Sequence, residues 1–341
     1  MKKLLFILSL IALLFTTATA QTQVFALEHN GNTSIYSTLD SAINAAQNGA
    51  VIYLPGGGIN FQGELRKSVA LIGAGYHPNT TVATGPTVIS GIFKMRQGAN
   101  NVMITGIHFS QELNIDSCNN VTVSRCHLNR IDFNRGSSFN VSECVISDFF
   151  SARPIVSNVN VSNSLIFGSL STDNGGVTYI NNILFPFISS NNRLFQGADG
   201  NTFQNNIIVT NSSNGLLQIQ GIGGLSGNTY YNNVFTDSLV VTSSSPGVYA
   251  GNIFKQSQSS LFQNITSIST FSPSDNLHLK AGSAAIGAGI NGTDCGIYGG
   301  QSPFKDGGIP FSPHIESLQI DPATDVNGSL RINIKVTAQD R

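Results

Sequence analysis

The chain of 341 residues contains no tryptophan, only four cysteines and little charge: lysine and arginine total 17, aspartate and glutamate 18, for a net charge of -1. Each shortage excludes something. Neutralising phosphates takes clustered Lys and Arg, so a chain with 10% charged residues carries no footprint for nucleic acid or an anionic membrane surface. Cys118, Cys126, Cys144 and Cys295 are too few for a disulfide scaffold, and none has the paired spacing of a zinc site. The absence of tryptophan removes the broadest ring face on which sugars pack, leaving Tyr179, Tyr230, Tyr231 and Tyr249 as substitutes. No run of closely spaced aspartates is present, nor a carboxylate pair in trustworthy register for glycoside hydrolysis. The glycines at 56–58 and 73–75 lie in turns, far from any phosphate-binding context.

Long apolar runs are also missing, except at the start. "MKKLLFILSLIALLFTTATA" places two lysines before an apolar stretch and Ala18-Thr19-Ala20 before Gln21, the pattern of a cleaved secretory signal over residues 1–20. The mature chain is then expected from Gln21, exported to the periplasm, outer surface or medium. No cysteine follows the cleavage pattern, which argues against a lipid anchor, and no later stretch is long and apolar enough to span a bilayer.

What is present is a period. Thr105, Ser124, Ser142, Ser162 and Asn181 mark intervals of 19, 18, 20 and 19, and "YINNILF", "FQNNIIV", "YYNNVF" and "YAGNIF" continue at 24, 27 and 19. Within one period the apolar residues alternate: Val102 and Ile104, Ile107 and Phe109, Leu113 and Ile115. Each run is too short for a helix and has strand periodicity. Three short strands per period, joined by Gly, Asn and Ser turns, make one coil of a parallel β-solenoid, expected from about Val69 to Phe271. A propeller blade would need twice the interval. Identical residues of stacked coils pile into ladders, so Asn recurs because its amide bonds the Asn one coil away and it tolerates a left-handed turn. The Asn-x-Ser/Thr matches at Asn120 and Asn140 are products of the same ladders. Cys126 and Cys144 hold equivalent repeat positions and are expected as stacked free thiols rather than a disulfide.

Both ends of a solenoid need covering. Leu39, Ala42, Ile43, Ala45 and Ala46 have helical spacing, which predicts a short capping helix before the strand at Val51 to Leu54. At the other end "LHLKAGSAAIGAGINGTDCGIYGG" is glycine-rich and loop-like, and strand alternation resumes in "PFKDGGIPFSPHIESLQI" and "LRINIKVTAQ". The expected organisation is a cap with first strands over 21–68, a parallel β-helix with a cap loop over 69–300, and a β tail over 301–341.

Together "SAINAAQNGAVIYLPGG", "VALIGAGYHPNTTVATGPTVISG", the asparagine-marked coils and "LHLKAGSAAIGAGINGTDCGIYGGQSPFKDGGIPFSPHI" resemble the secreted right-handed parallel β-helix proteins of Bacteroidetes-type bacteria, in the broad pectate-lyase-like superfamily. The resemblance covers nearly the whole mature chain and implies an all-β fold and right-handedness. It does not fix an activity. A lyase of this kind would need a carboxylate cluster for Ca²⁺ and an Arg or Lys base facing outward on neighbouring coils, so Ca²⁺ is expected only with lyase activity.

Charge is scarce enough to inspect singly. Arg125 and Glu143 stand one coil apart at equivalent turns and read as a surface ion pair worth roughly 0 to 1 kcal/mol. His108 and His127 stack between apolar neighbours and are expected to point outward. "NRIDFNR" puts Asp132 outward between Arg130 and Arg135, the densest charge constellation in the repeat. His108, His127, Arg130 and Asp132 are therefore the candidate site residues, expected on one exposed side. Three functions stay open: a noncatalytic β-helix that binds polysaccharide or cell-surface glycan, a polysaccharide lyase or hydrolase with an unfamiliar site, and a structural or adhesive spacer.

Overall fold

The computed structural model describes residues 23–153, 155–172, 176–186, 200–210, 216–218, 227–240 and 248–338. The signal sequence expected over residues 1–20 lies outside them. Among the described residues no helix is long and apolar enough to cross a membrane.

Every strand pairing from Ala50 to Ile253 within the repeat is parallel, and the strands fall into three columns. The first sheet runs through Gly57–Ile59, Thr87–Ile89, 108–109, 127–128, 145–146, 165–166, Ile183–Pro186, Ile207–Ile208 and Val234–Phe235. Glu64–Leu65, Phe93–Met95, 113–115, 130–133, 149–152 and 169–172 make the second. The third begins at Ala50–Tyr53 and passes through Val69–Ile72, Met103–Thr105 and each later coil to Val248–Ala250. This is an all-β parallel β-helix, as the period predicts. Past Ile253 the chain leaves the repeat earlier than expected: Phe262–Asn264 pairs antiparallel with Asn276–Leu279.

Alternation sends every second residue inward. Ile104, Val123, Val141, Val161, Tyr179, Phe203, Tyr230 and Tyr249 form one inward row of the third sheet. Its rings stack nearly parallel, Tyr179 on Phe203 and Phe203 on Tyr230 at 4.8 Å, Tyr230 on Tyr249 at 5.4 Å. That spacing is the strand separation itself, about 4.8 Å. The expectation that these tyrosines offer a sugar platform is therefore corrected for three of them. Tyr179 and Tyr230 are wholly buried, Tyr249 packs against the same core, and Tyr231 alone faces outward.

Two consecutive positions between the third and first sheets carry the asparagine signal, and they do different jobs. Gly106, Arg125, Glu143, Asn163, Asn181, Asn205, Asn232 and Gly251 all take φ between 46° and 70°, the left-handed conformation that Gly and Asn adopt at least cost. The next residue begins an internal ladder. Asn182, Asn206 and Asn233 each donate their amide to the side-chain oxygen of the next asparagine at 3.0 to 3.1 Å and to a backbone oxygen as well, and Asn252 ends the ladder, accepting from Asn233 and donating to Tyr230 O. In the earlier coils Cys126 and Cys144 stand in that row as buried free thiols. Outer rungs also form, Asn120 on Asn101 and Asn160 on Asn140, but Asn120 faces Ser138 in the adjacent coil, not Asn140.

The helix predicted at the amino end spans Leu39–Ala45, capped by Thr38, whose hydroxyl oxygen accepts the Ser41 N–H at 3.2 Å; Leu39, Ala42 and Ile43 are buried under it. The carboxyl end is less a cap than a strap. Residues 288–310 return along the left-handed turns from the late coils to the early ones. Asn232 donates to Ala288 O, Asn205 accepts from Ile290 N, Asn181 donates to Asp294 O, Asn163 to Ile297 O and Gly299 O, and Arg125 to Ile309 O, at 2.8 to 3.1 Å. The fit is close enough that a Cβ on Gly299 would stand 2.5 Å from Asn181 Nδ2. Under the strap the outward side of the first sheet is apolar. Val145, Leu165, Ile183, Ile207 and Val234 form a second core with Leu277, Ile297 and Phe304. The tail ends in an antiparallel hairpin, His314–Ile320 with Ile332–Thr337.

Arg125 and Glu143 are not a surface pair. Arg125 is 0% exposed, its Nε lies 2.9 Å from Glu143 Oε2, and its guanidinium sits 3.5 Å from the Phe311 ring centroid. The strap covers the turn that the repeat leaves open. Burial pushes the Glu143 carboxyl up and the Arg125 guanidinium down, each against the opposing pull of its partner.

Two stability predictions follow from these ladders. Asn206→Ala removes two donors and an acceptor shared with Asn182, Tyr179 O and Asn233, and unsatisfied buried groups cost about 1–3 kcal/mol each. The urea unfolding midpoint should fall by the equivalent of at least about 3 kcal/mol; a change within error would show that the ladder does not stabilise the coil. Arg125→Asn leaves Glu143 buried alone and should cost about 3–5 kcal/mol. The double variant with Glu143→Asn copies the rungs at Asn163 and Asn181 and should recover most of that loss.

Candidate functional site

The three outward faces differ. The first is covered by the strap. The third is mostly neutral, with Thr122, Asn140, Asn160, Thr178, Thr202 and Thr229 in one row. The second is uncovered among the described residues and carries the charge.

On the second sheet the register aligns Glu64-Leu65, Lys94-Met95, Asn114-Ile115, Asp132-Phe133 and Ser151-Ala152, and a shift after Ile115 sets Asp116 opposite Arg135. Leu65, Met95, Ile115 and Phe133 are buried inward, which turns their neighbours out. Ion pairs and hydrogen bonds then run across the coils. Arg96 reaches Glu64 at 3.6 Å and the Asn114 side-chain oxygen at 2.8 Å, and Asn114 donates to Glu112 at 2.6 Å. Arg130 lies 3.8 Å from Glu112 and 3.0 Å from Asp132. Arg135 makes a fork with Asp116, at 2.6 and 2.7 Å, and that bond holds the Asp116 carboxyl below the usual carboxylate range. Lys94, half-buried between Glu64 and Asn114 in the row, makes no hydrogen bond or ion pair among the described residues.

The four residues proposed from sequence divide between two sheets. Arg130 and Asp132 stand together on the second, where Asp132 is 8% exposed and its Oδ1 has no hydrogen-bond partner among the described residues. His108 and His127 belong to the first and stack at 4.3 Å with rings 7° from parallel. A register shift between Leu128 and Arg130 marks the bend that parts them. His127 is not open to solvent as expected: Tyr76 and Phe271 pack on it at 5.7 and 5.5 Å, and its Nε2 lies 2.7 Å from Ser147 Oγ. Burial, with a smaller contribution from His108, pushes the His127 pKa down to about 3. Burial lowers His108 as well.

Tyr76 and Phe271 also wall a cleft of about 420 Å³ between the first sheet and the strap. On its strap side His278 stacks over Tyr298 at 3.8 Å, and Asp306 accepts the Tyr298 hydroxyl at 2.7 Å while lying 3.2 Å from His278 Nε2. Burial and this carboxylate together push the Tyr298 phenol up. None of these strap residues is marked by the period. The second-sheet row was detectable, as polar-apolar-polar triplets one coil apart, and only its Asp132 member was picked out.

A Ca²⁺ site of the kind a lyase would use does not fit the described residues. Among the described residues no three His, Cys, Asp or Glu side chains converge, and Glu112, Asp116 and Asp132 are each committed to an arginine.

No protein-family model matches the chain, and no curated protein matches it. Solved structures give distant likenesses. An alginate lyase from Paenibacillus sp. str. FPU-7 aligns at TM-score 0.45 and 16% identity, over 63% of this chain and 92% of that one. The PL6 family alginate lyase AlyGC gives 0.36 and 14%, over 63% of this chain and 37% of its own. A pectate lyase gives 0.34 and 13%, over 69% and 68%. At these values no residue of those enzymes is carried onto this chain, and the fold is read from its own strand pairing.

The His127 position makes acid stability a direct test. Its folded pKa of about 3 lies below the ordinary 6.5, so the unfolded chain binds the extra proton between those values. Stability is then present above pH 6.5 and lost as pH falls towards 3. His127→Gln should flatten the fall of the urea midpoint over that window by up to about 1.4 kcal/mol per pH unit. Equal slopes for the two proteins would mean that His127 is not held neutral by packing.

Proposed function

We propose that this is an exported carbohydrate-binding β-helix whose ligand, an acidic polysaccharide, lies along the second sheet's outer face. One observation carries the reading: a chain poor in charge gathers Arg66, Lys94, Arg96, Arg130, Arg135 and Arg153 on successive coils of one uncovered sheet. The arginines are held in place by Glu64, Glu112, Asp116, Asp132 and two asparagines. Coils repeat at about 4.8 Å, so the face offers regularly spaced donors to a polymer with regularly spaced carboxylates. Lys94 supplies an uncommitted cation within that array. Exposed pairs are screened by salt, so binding should weaken as ionic strength rises.

A second reading rests on the same lysine. β-Elimination from a uronate needs a base near the sugar ring and positive charge on the carboxylate, and Lys94 with Arg96 and Arg130 supplies both residue types.

The test is retention and turnover on a panel of polyuronates and neutral polysaccharides at low and high salt. Wild type should bind polyuronates and release them with salt, and Lys94→Ala should weaken binding about tenfold, the loss of one charge-assisted contact. Absorbance of a conjugated product that disappears in the same variant would establish the lyase reading. No retention on any polyuronate, or equal retention by the variant, would defeat the assignment.

A further inference from the structure

The cleft between the first sheet and the strap is built from different chemistry from the charged face. Six rings wall it in two groups. Tyr76, His77 and Phe271 meet edge to face at 6.4 Å on one side. On the other, Tyr298 lies parallel beneath His278 and at 87° to Phe304. Among the described residues no lysine or arginine lines the space, and its two charged groups are both carboxylates, Asp275 and Asp306. Asp306 is oriented by the Tyr298 hydroxyl and His278. Asp275 Oδ1 accepts the Thr266 N–H at 2.9 Å and its hydroxyl at 2.6 Å, which fixes the carboxylate and leaves Oδ2 without a partner among the described residues.

An anion would meet two carboxylates there and no lysine or arginine. A neutral sugar would find acceptors but gains nothing from the net charge. An organic cation is served by both kinds of group: the rings attract it through their quadrupoles, and the carboxylates supply the counter-charge. The volume suits a compact molecule rather than a polymer segment. We propose that this cleft is a second ligand site, separate from the polysaccharide face, that takes a small organic ammonium ion, quaternary or protonated. The strap completes the site, since residues 288–310 bring Tyr298, Phe304 and Asp306 to His278 and the first sheet.

The full chain, without its first 20 residues, would be titrated calorimetrically with choline chloride and with tetramethylammonium chloride at constant ionic strength. Glucose and sodium chloride serve as comparisons. Saturable binding of the two ammonium salts alone is expected, and Asp306→Asn should weaken it at least about tenfold, as loss of a counter-charge worth 1.4 kcal/mol would do. Retention of polyuronate by Asp306→Asn at the wild-type level would show that the second-sheet face is intact, and an unchanged urea midpoint that the strap stays docked, so the two assignments fail independently. No saturable heat with either ammonium salt overturns the proposal. So does comparable binding of glucose, or Asp306→Asn binding choline as wild type does. Should Asp306→Asn fail to fold, Asp275→Asn takes its place, and the wild-type preference for ammonium over glucose decides alone.

Discussion

Everything outside the central coils depends on one backbone requirement, the left-handed turn between the third and first sheets. The chain changes direction there within two residues, which forces φ positive at one of them in every coil from Gly106 to Gly251. A residue so placed directs its side chain away from the core. Stacked coils therefore line up a column of outward amides, and the strap's carbonyls and N–H groups are what that column binds. Once docked, the strap buries Ile297 and Phe304 against the first sheet beside Leu277, each worth about 2 kcal/mol when fully removed from water. Turn, strap and second core are one cooperative unit. The cleft exists only as its by-product.

Arg125 and Glu143 show that the requirement is for a polar reach as much as for a turn. Neither residue is a natural occupant of φ near 50°, yet both hold it. Arg125 spans to Ile309 O and packs on Phe311 where the shorter amides of Asn163 and Asn181 serve closer segments of strap. A guanidinium buried to that degree needs a counter-charge, and Glu143 in the next rung supplies it. The pair thus follows from the strap's path, and its burial penalty is the cost of fastening the strap over the early coils.

The fold was legible because a solenoid repeats its own constraints. Val123, Val141 and Val161 announce a row, and Asn182, Asn206 and Asn233 announce a ladder, since a strand spacing of about 4.8 Å makes like residues neighbours. What has no period was not legible. The segment 288–310 reads as a glycine-rich loop up to Gly300 and as resumed strand alternation from Pro303, because its partners lie 56 to 184 residues earlier in sequence. The covering of Arg125 and of His127 follows from that segment, so both were placed at a surface that does not exist. Tyr179 and Tyr230 were misassigned for a different reason. Their chemistry suggested a sugar platform, while their register with Val161 and Phe203 already sent them inward. Strand parity outranks side-chain chemistry when the two disagree, because a shifted parity would expose a whole inward row. The charged row lay in between: each triplet was visible, but an insertion between coils alters the spacing, and only pairing aligns Glu64 with Lys94 across 30 residues.

Rigid spacing also decides what ion pairs on the second sheet can do. Exposed pairs contribute little to stability, roughly 0 to 1 kcal/mol, so Arg66, Arg130 and Arg135 are poor candidates for holding the coils together. The inward hydrophobic rows and the internal amides already do that. What the pairs do is restrict long side chains to few conformations before any ligand arrives, which lowers the ordering cost that binding would otherwise carry. An array that is stabilised elsewhere and pre-ordered at its surface is suited to reading a repeating partner. The mostly neutral third sheet, built on the same coils, has the same spacing but lacks that concentration of charge, so the difference between the two faces lies in side chains alone.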